Sequence, residues 1–146
     1  MASYIGDGWD DLEGYIAGSP PNAAGQRLYD PLTFTYRAIT PMETAALSRR
    51  TSLMLEKELA ENGDGSKTEM AIYDFIASKL KSWDLKAKGV HPLPINGKNV
   101  SGMQFTLFSI LREIMYNQRL SDIKPDETKP AHSADDLLGN SSAASA

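Results

Sequence analysis

Apolar positions alternate in one stretch of the chain and recur at helical spacing in three others. Leu32, Phe34, Tyr36 and Ala38 share one face of an extended segment, and Thr33, Thr35 and Arg37 share the other. This alternation predicts a strand over 32–39, introduced by Asp30-Pro31. A single strand cannot satisfy its own hydrogen bonds, so it needs a second strand in the chain or the edge of a partner. A short pairing near Asp84-Leu85 or Leu93-Ile95 is the internal option.

Three capping signals then open three helices. Thr40-Pro41-Met42-Glu43 has the hydroxyl, the proline and the glutamate that a capped first turn uses. Leu47, Leu53, Met54, Leu55 and Leu59 carry that helix to Asn62-Gly63, where the glycine is expected to supply a left-handed stop. Ser66-Lys67-Thr68-Glu69 reads as a second capping box, followed by a stripe of Ile72, Tyr73, Ile76, Leu80 and Trp83. Ser101-Gly102-Met103-Gln104 reads as a third, opening a helix to about Arg119. Its main stripe is Met103, Leu107, Ile110, Leu111 and Ile114; Phe105, Phe108 and Met115 widen it beyond what one covered side needs. Between the last two helices, Gly89 to Gly97 is punctuated by Pro92 and Pro94, which exclude a regular central strand.

These elements predict a mainly α protein, a three-helix core with one or two short strands and irregular arms. The expected organisation is an N-terminal arm over 1–31, a helical core domain over 32–120 and a flexible tail over 121–146. The arm carries scattered apolar residues (Tyr4, Ile5, Trp9, Leu12, Tyr15, Ile16) and a breaker cluster at 18–22. The tail is polar and low in complexity apart from Asp135-Asp136-Leu137-Leu138.

Composition narrows the function classes. The chain has 146 residues, 41% hydrophobic and 23% charged, which suits one globular core. No apolar run approaches the roughly 20 residues that span a bilayer, so no membrane partner is expected. The first residues show neither a basic n-region nor an apolar h-region, which predicts a cytoplasmic location. With no cysteine, disulfides, thiolate metal sites and cysteine nucleophiles drop out. A net charge of −4 argues against a dedicated nucleic-acid binder, and Arg49-Arg50 reads as a solvated helix face.

Motifs for chemistry are missing. His91 and His132 lie in separate irregular stretches without ligand spacing, so no metal site is expected. Asp7, Asp10, Asp11 and Glu13 lack the order of a calcium loop. No GxSxG elbow accompanies the serines, and Gly63 to Thr68 lacks the spacing of a phosphate loop and follows a helix. The expectation is a protein without enzymatic activity, catalytic residues or cofactor. Its candidate protein-binding residues are Phe34 and Tyr36 on the strand, with Phe105, Phe108 and Met115 on the over-wide helix. The five methionines beyond the first read mainly as core filling.

A β-like Phe34-Thr35-Tyr36-Arg37, two helices, Trp83-Asp84-Leu85, Pro92-Leu93-Pro94-Ile95 and a closing apolar helix follow one another in the chain. From about Leu32 to Arg119 this order resembles small proteins encoded among the tail genes of long-tailed bacteriophages, especially tail assembly chaperones. The resemblance implies a non-catalytic protein that binds the tape measure protein and tail tube subunits before assembly. It places the protein in the host cytoplasm, and it implies that a ribosomal frameshift can supply a second product with another C-terminal extension. The alternative is a structural virion component, a connector or minor tail protein whose arms lace subunits together. Strand-edge pairing between copies would make a homo-oligomer.

Overall fold

The computed structural model describes residues 11–87 and 90–125. In chain order the elements are β1 (Leu12–Ile16), β2 (Leu32–Tyr36), α1 (Pro41–Ala60), α2 (Ser66–Lys79), β3 (Leu80–Trp83), β4 (Lys86–Ala87), β5 (His91–Pro92), α3 (Gly97–Ser101) and α4 (Phe105–Met115). Of the described residues 44% are helical and 16% are in strands. The sheet forms one wall of the core, so the fold is α+β and the expected mainly α, three-helix core is corrected.

The alternating segment behaves as its pattern dictates, with Leu32, Phe34 and Tyr36 buried and Thr33 and Thr35 partly exposed. Strand β2 is central. It pairs antiparallel with β1 on one side (Leu12 opposite Tyr36, Gly14 opposite Phe34, Ile16 opposite Leu32) and with β3 on the other (Phe34 opposite Trp83, Tyr36 opposite Leu80). Both edges of the expected lone strand are thus filled from within the chain. The part of the N-terminal arm that is described is not irregular throughout, because Leu12–Ile16 is an edge strand. Sequence alternation in β1 is hidden by Gly14, whose missing side chain makes room for the Phe34 ring. The outer edge of β1 is occupied too. Tyr15 N–H donates to Ser121 Oγ (2.7 Å), Asp122 N–H donates to Tyr15 C=O (2.9 Å) and Ala17 N–H donates to Asp122 Oδ2 (2.9 Å).

The sheet's apolar face meets Ile76 of α2, Val100 of α3 and Leu107, Leu111, Ile114 and Met115 of α4 in one buried cluster. Its other face is polar: Thr35 and Ser82 hydroxyls meet at 2.7 Å across β2 and β3. Loop 17–31 is closed by Ser19 and Tyr29, which exchange backbone and side-chain hydrogen bonds, and by Asn22 Oδ1, which accepts from Ala24 and Gln26 N–H.

Helix boundaries follow the expected signals in part. Thr40 caps α1 with the full capping box and Pro41 takes the first position. The left-handed residue that stops α1 is Asn62 (φ 66), not Gly63. Ser66 is not a cap, because the cap position is Gly65 at φ 89, a left-handed conformation that glycine takes without strain. Helix α2 ends at Lys79, where Leu80 turns extended and pairs with Tyr36, so Leu80 and Trp83 belong to β3 and not to a helical stripe. Trp83 Nε1–H then donates to Leu93 C=O at 2.7 Å. The third expected helix divides: Asn96 caps α3, Gly102 ends it, and Gln104, whose side chain accepts from Leu107 N–H, opens α4. Ser101 closes α3 and does not cap a helix. Asn117 at φ 61 stops α4 before Arg119.

Candidate protein-binding surface

The five residues expected to bind partners are dispersed. Phe34, Tyr36 and Met115 are 1%, 6% and 0% exposed, so Phe34 and Met115 are core side chains that no partner can reach. Phe108 is half-buried, its ring edge against Tyr73 with centroids 5.6 Å apart. Phe105 alone is open to solvent, at 79% exposed. The extra width of the last stripe is thus used mostly inside the protein, Met115 in the core beside the sheet and the Phe108 ring against Tyr73 of α2.

Tyr36 leads to a site that periodicity did not reveal. It lines an apolar groove of about 720 Å³ between the start of β1, the turn from β2 into α1, and the chain leaving α4. Leu12, Ala38, Ile39, Pro41, Ile114 and Leu120 supply the apolar lining, while Asn117, Gln118 and Arg119 stand among the polar ones. Hydrogen bonds join the walls of the groove to the rest of the fold. Ile39 N–H donates to Met115 C=O (3.1 Å), and Ser121 ties the far wall to Tyr15. Leu120, by contrast, is 89% exposed. The Tyr36 hydroxyl has no hydrogen-bond partner among the described residues, and burial pushes its pKa above the ordinary phenol value. A buried tyrosine hydroxyl ordinarily finds a partner.

Helix α1 is the second open surface. Only Leu47 and Glu58 are buried along its whole length. Two carboxylates latch it to α2, one at each end of the antiparallel pair. Near its start, Glu43 accepts from Arg37 Nη1 (2.9 Å), from Thr40 N–H (3.0 Å) and from Lys79 Nζ at the end of α2. Burial alone would raise the Glu43 pKa, but these donors lower it to about 2. In its last turn, Glu58 accepts from the Thr68 hydroxyl (2.7 Å) and from Lys67 and Thr68 N–H (3.0 Å each). It thereby caps α2 from outside, in place of the side chain that Gly65 lacks. The Thr68 hydroxyl, with the two N–H donors, holds the Glu58 carboxyl below its ordinary range. Sequence reasoning missed this because the donors and acceptor lie on different helices.

A further cavity of about 580 Å³ lies beside the β4–β5 hairpin, lined in part by Asp30, Asp84, Lys86 and Asn99. Asp84 Oδ1 is already engaged by Thr33 N–H at 2.8 Å. His91 is exposed on β5, and no three histidine, cysteine, aspartate or glutamate side chains converge among the described residues. His132, the Asp135-Asp136-Leu137-Leu138 island, and Asp7, Asp10, Tyr4, Ile5 and Trp9 lie outside the described residues. Among the described residues no helix is long and apolar enough to cross a membrane. No family model, curated protein or solved structure matches the chain.

Proposed function

We propose that the protein is a non-enzymatic assembly adaptor of the tail assembly chaperone type, holding an elongated helical client in the groove beside Tyr36. The apolar groove, lined from three parts of the chain, is the observation that carries this reading. A helical client presents apolar side chains at i and i+4 along one face, and a groove between two elements receives such a pair. Tyr36 donates to a polar group of the client, and Arg119 and Gln118 at the rim orient it. By the resemblance in element order, the clients are the tape measure protein and tail tube subunits, met in the host cytoplasm before assembly.

Covering Leu120 on binding contributes about 1.5–3 kcal/mol, the worth of a fully buried leucine side chain. Because Leu120 is 89% exposed in the free protein, Leu120→Asp should leave the fold intact. Co-expression with tape measure and tail tube proteins, followed by purification, is the test. A complex with either one that weakens about tenfold or more in Leu120→Asp supports the reading. No complex with either, or a complex indifferent to Leu120→Asp, overturns it. Detection of the protein in finished particles at fixed stoichiometry would favour the structural virion role instead.

A further inference from the structure

We propose that two copies of the chain pair antiparallel through the outer face of α1, related by a twofold axis near Thr51. This interface shares no residue with the groove and is independent of the chaperone reading. Helix α1 carries two stripes. Leu47, Thr51, Met54 and Glu58 face α2 and are buried or half-buried. On the opposite side Met42, Ala46, Arg49, Leu53, Glu56 and Ala60 follow one another at alternating steps of four and three residues, and every one of them is exposed. Steps of four and three are the spacing by which one helix meets another along a seam. Met42 and Leu53, 79% and 69% exposed, are its large apolar members.

Charge selects both the occupant and the direction. Arg49 and Glu56 make no ion pair among the described residues, and neither has an opposite charge three or four positions away on its own helix. Antiparallel pairing about Thr51 puts Met42 opposite the partner's Ala60, Ala46 opposite the partner's Glu56 and Arg49 opposite the partner's Leu53. Helical side chains lean toward their own N-terminus. Arg49 therefore leans toward the partner's Glu56, and the partner's Glu56 leans toward Arg49; the axis repeats the contact. Parallel pairing would set Arg49 against Arg49 and Glu56 against Glu56. The seam is thus complementary to itself in one direction only, as an isologous interface requires.

A helix of 20 residues is about 30 Å long at 1.5 Å per residue. One such contact lies at the small end of specific interfaces, near about 1,000 Å² in total, so self-association is expected in the micromolar range. Sedimentation velocity on the full chain over a concentration series reads it directly. The wild type should move from monomer to dimer, and Leu53→Asp should remain monomeric. Leu59→Asp, on another face of α1, and Leu120→Asp, in the groove, should dimerise normally. Arg49→Glu alone and Glu56→Arg alone should each weaken association at least about tenfold, since two like-charge contacts replace two attractive ones. Mixing these two variants should restore a dimer, because one helix then carries only acidic side chains at the two positions and its partner only basic ones. A wild type that stays monomeric, or a mixture that fails to associate while the wild type dimerises, overturns the proposal. Loss of client binding by Leu120→Asp with the dimer retained bears on the groove alone.

Discussion

Replacing Glu43 by glutamine keeps the side chain's reach and removes its charge, which isolates the ionic part of the first latch. A glutamine oxygen can still accept from Thr40 N–H, so the capping box survives. Lys79, only 13% exposed, and Arg37 then face a neutral amide in place of the Glu43 carboxylate. The Glu43 carboxyl titrates at about 2 instead of its ordinary 4.5. Each pH unit of that gap corresponds to about 1.4 kcal/mol, giving a ceiling of about 3 kcal/mol. Solvent reaches the pair, with side chains 36% and 26% exposed for Arg37 and Glu43. Screening therefore reduces the contribution to about 1–2 kcal/mol. The folded-state pKa is the lower one. The contribution is accordingly complete above about pH 4.5 and disappears as the pH falls through about 2. Urea unfolding followed by far-UV circular dichroism should show Glu43→Gln less stable by about 1–2 kcal/mol at neutral pH, a midpoint shift of about 0.5–1 M. The gap between wild type and variant should narrow between about pH 4.5 and pH 2, where the unfolded chain's carboxyl is protonated and the folded one is still ionised. A gap that is absent at neutral pH, or that stays constant into acid, would refute the latch.

Two further changes test the sheet. Gly14→Ala places a Cβ within 3.0 Å of three atoms of the buried Phe34 ring, so thermal unfolding should show a loss of about 1–3 kcal/mol or more, and a neutral effect would mean that the ring can move aside. Ser121→Ala removes the acceptor of Tyr15 N–H and should lower stability by about 1 kcal/mol while accelerating amide exchange at Tyr15; unchanged exchange there would show that the edge is not held by this contact.

Local signals in the sequence located what local physics decides. The strand expected over 32–39 forms over its first five residues, 32–36, and the Thr40-Pro41-Met42-Glu43 cap appears as read, since each rests on residues within a few positions of one another. Strand β1 escaped because its inward positions include Gly14, which leaves no apolar mark, although it is the space for Phe34 that requires it. The step from α2 to β3 escaped because Ile76, Leu80 and Trp83 satisfy a helical stripe until Tyr36 and Phe34 offer strand partners. Ser66 and Ser101 matched capping patterns, but Glu58 from the preceding helix and Gln104 three residues on do the capping. The groove was illegible for a related reason: Leu12, Tyr36, Ile114 and Leu120 meet only after the sheet has formed. Its one local trace is Leu120, an apolar residue just past the end of α4.

The contact of Ser121 with Tyr15 spans 106 positions, which gives it a role in the order of folding. A ribosome delivers β1 early and its outer seal late. Closing so long a loop costs much entropy, and it becomes favourable only when most of the intervening chain is already compact. Until then the Tyr15 edge presents unpaired backbone groups, the kind of template on which strands of other chains assemble. A copy that has finished folding withdraws that template. The same two residues, Ser121 and Asp122, thus act as a molecular proof of completion: chains ending before them should be the ones that aggregate.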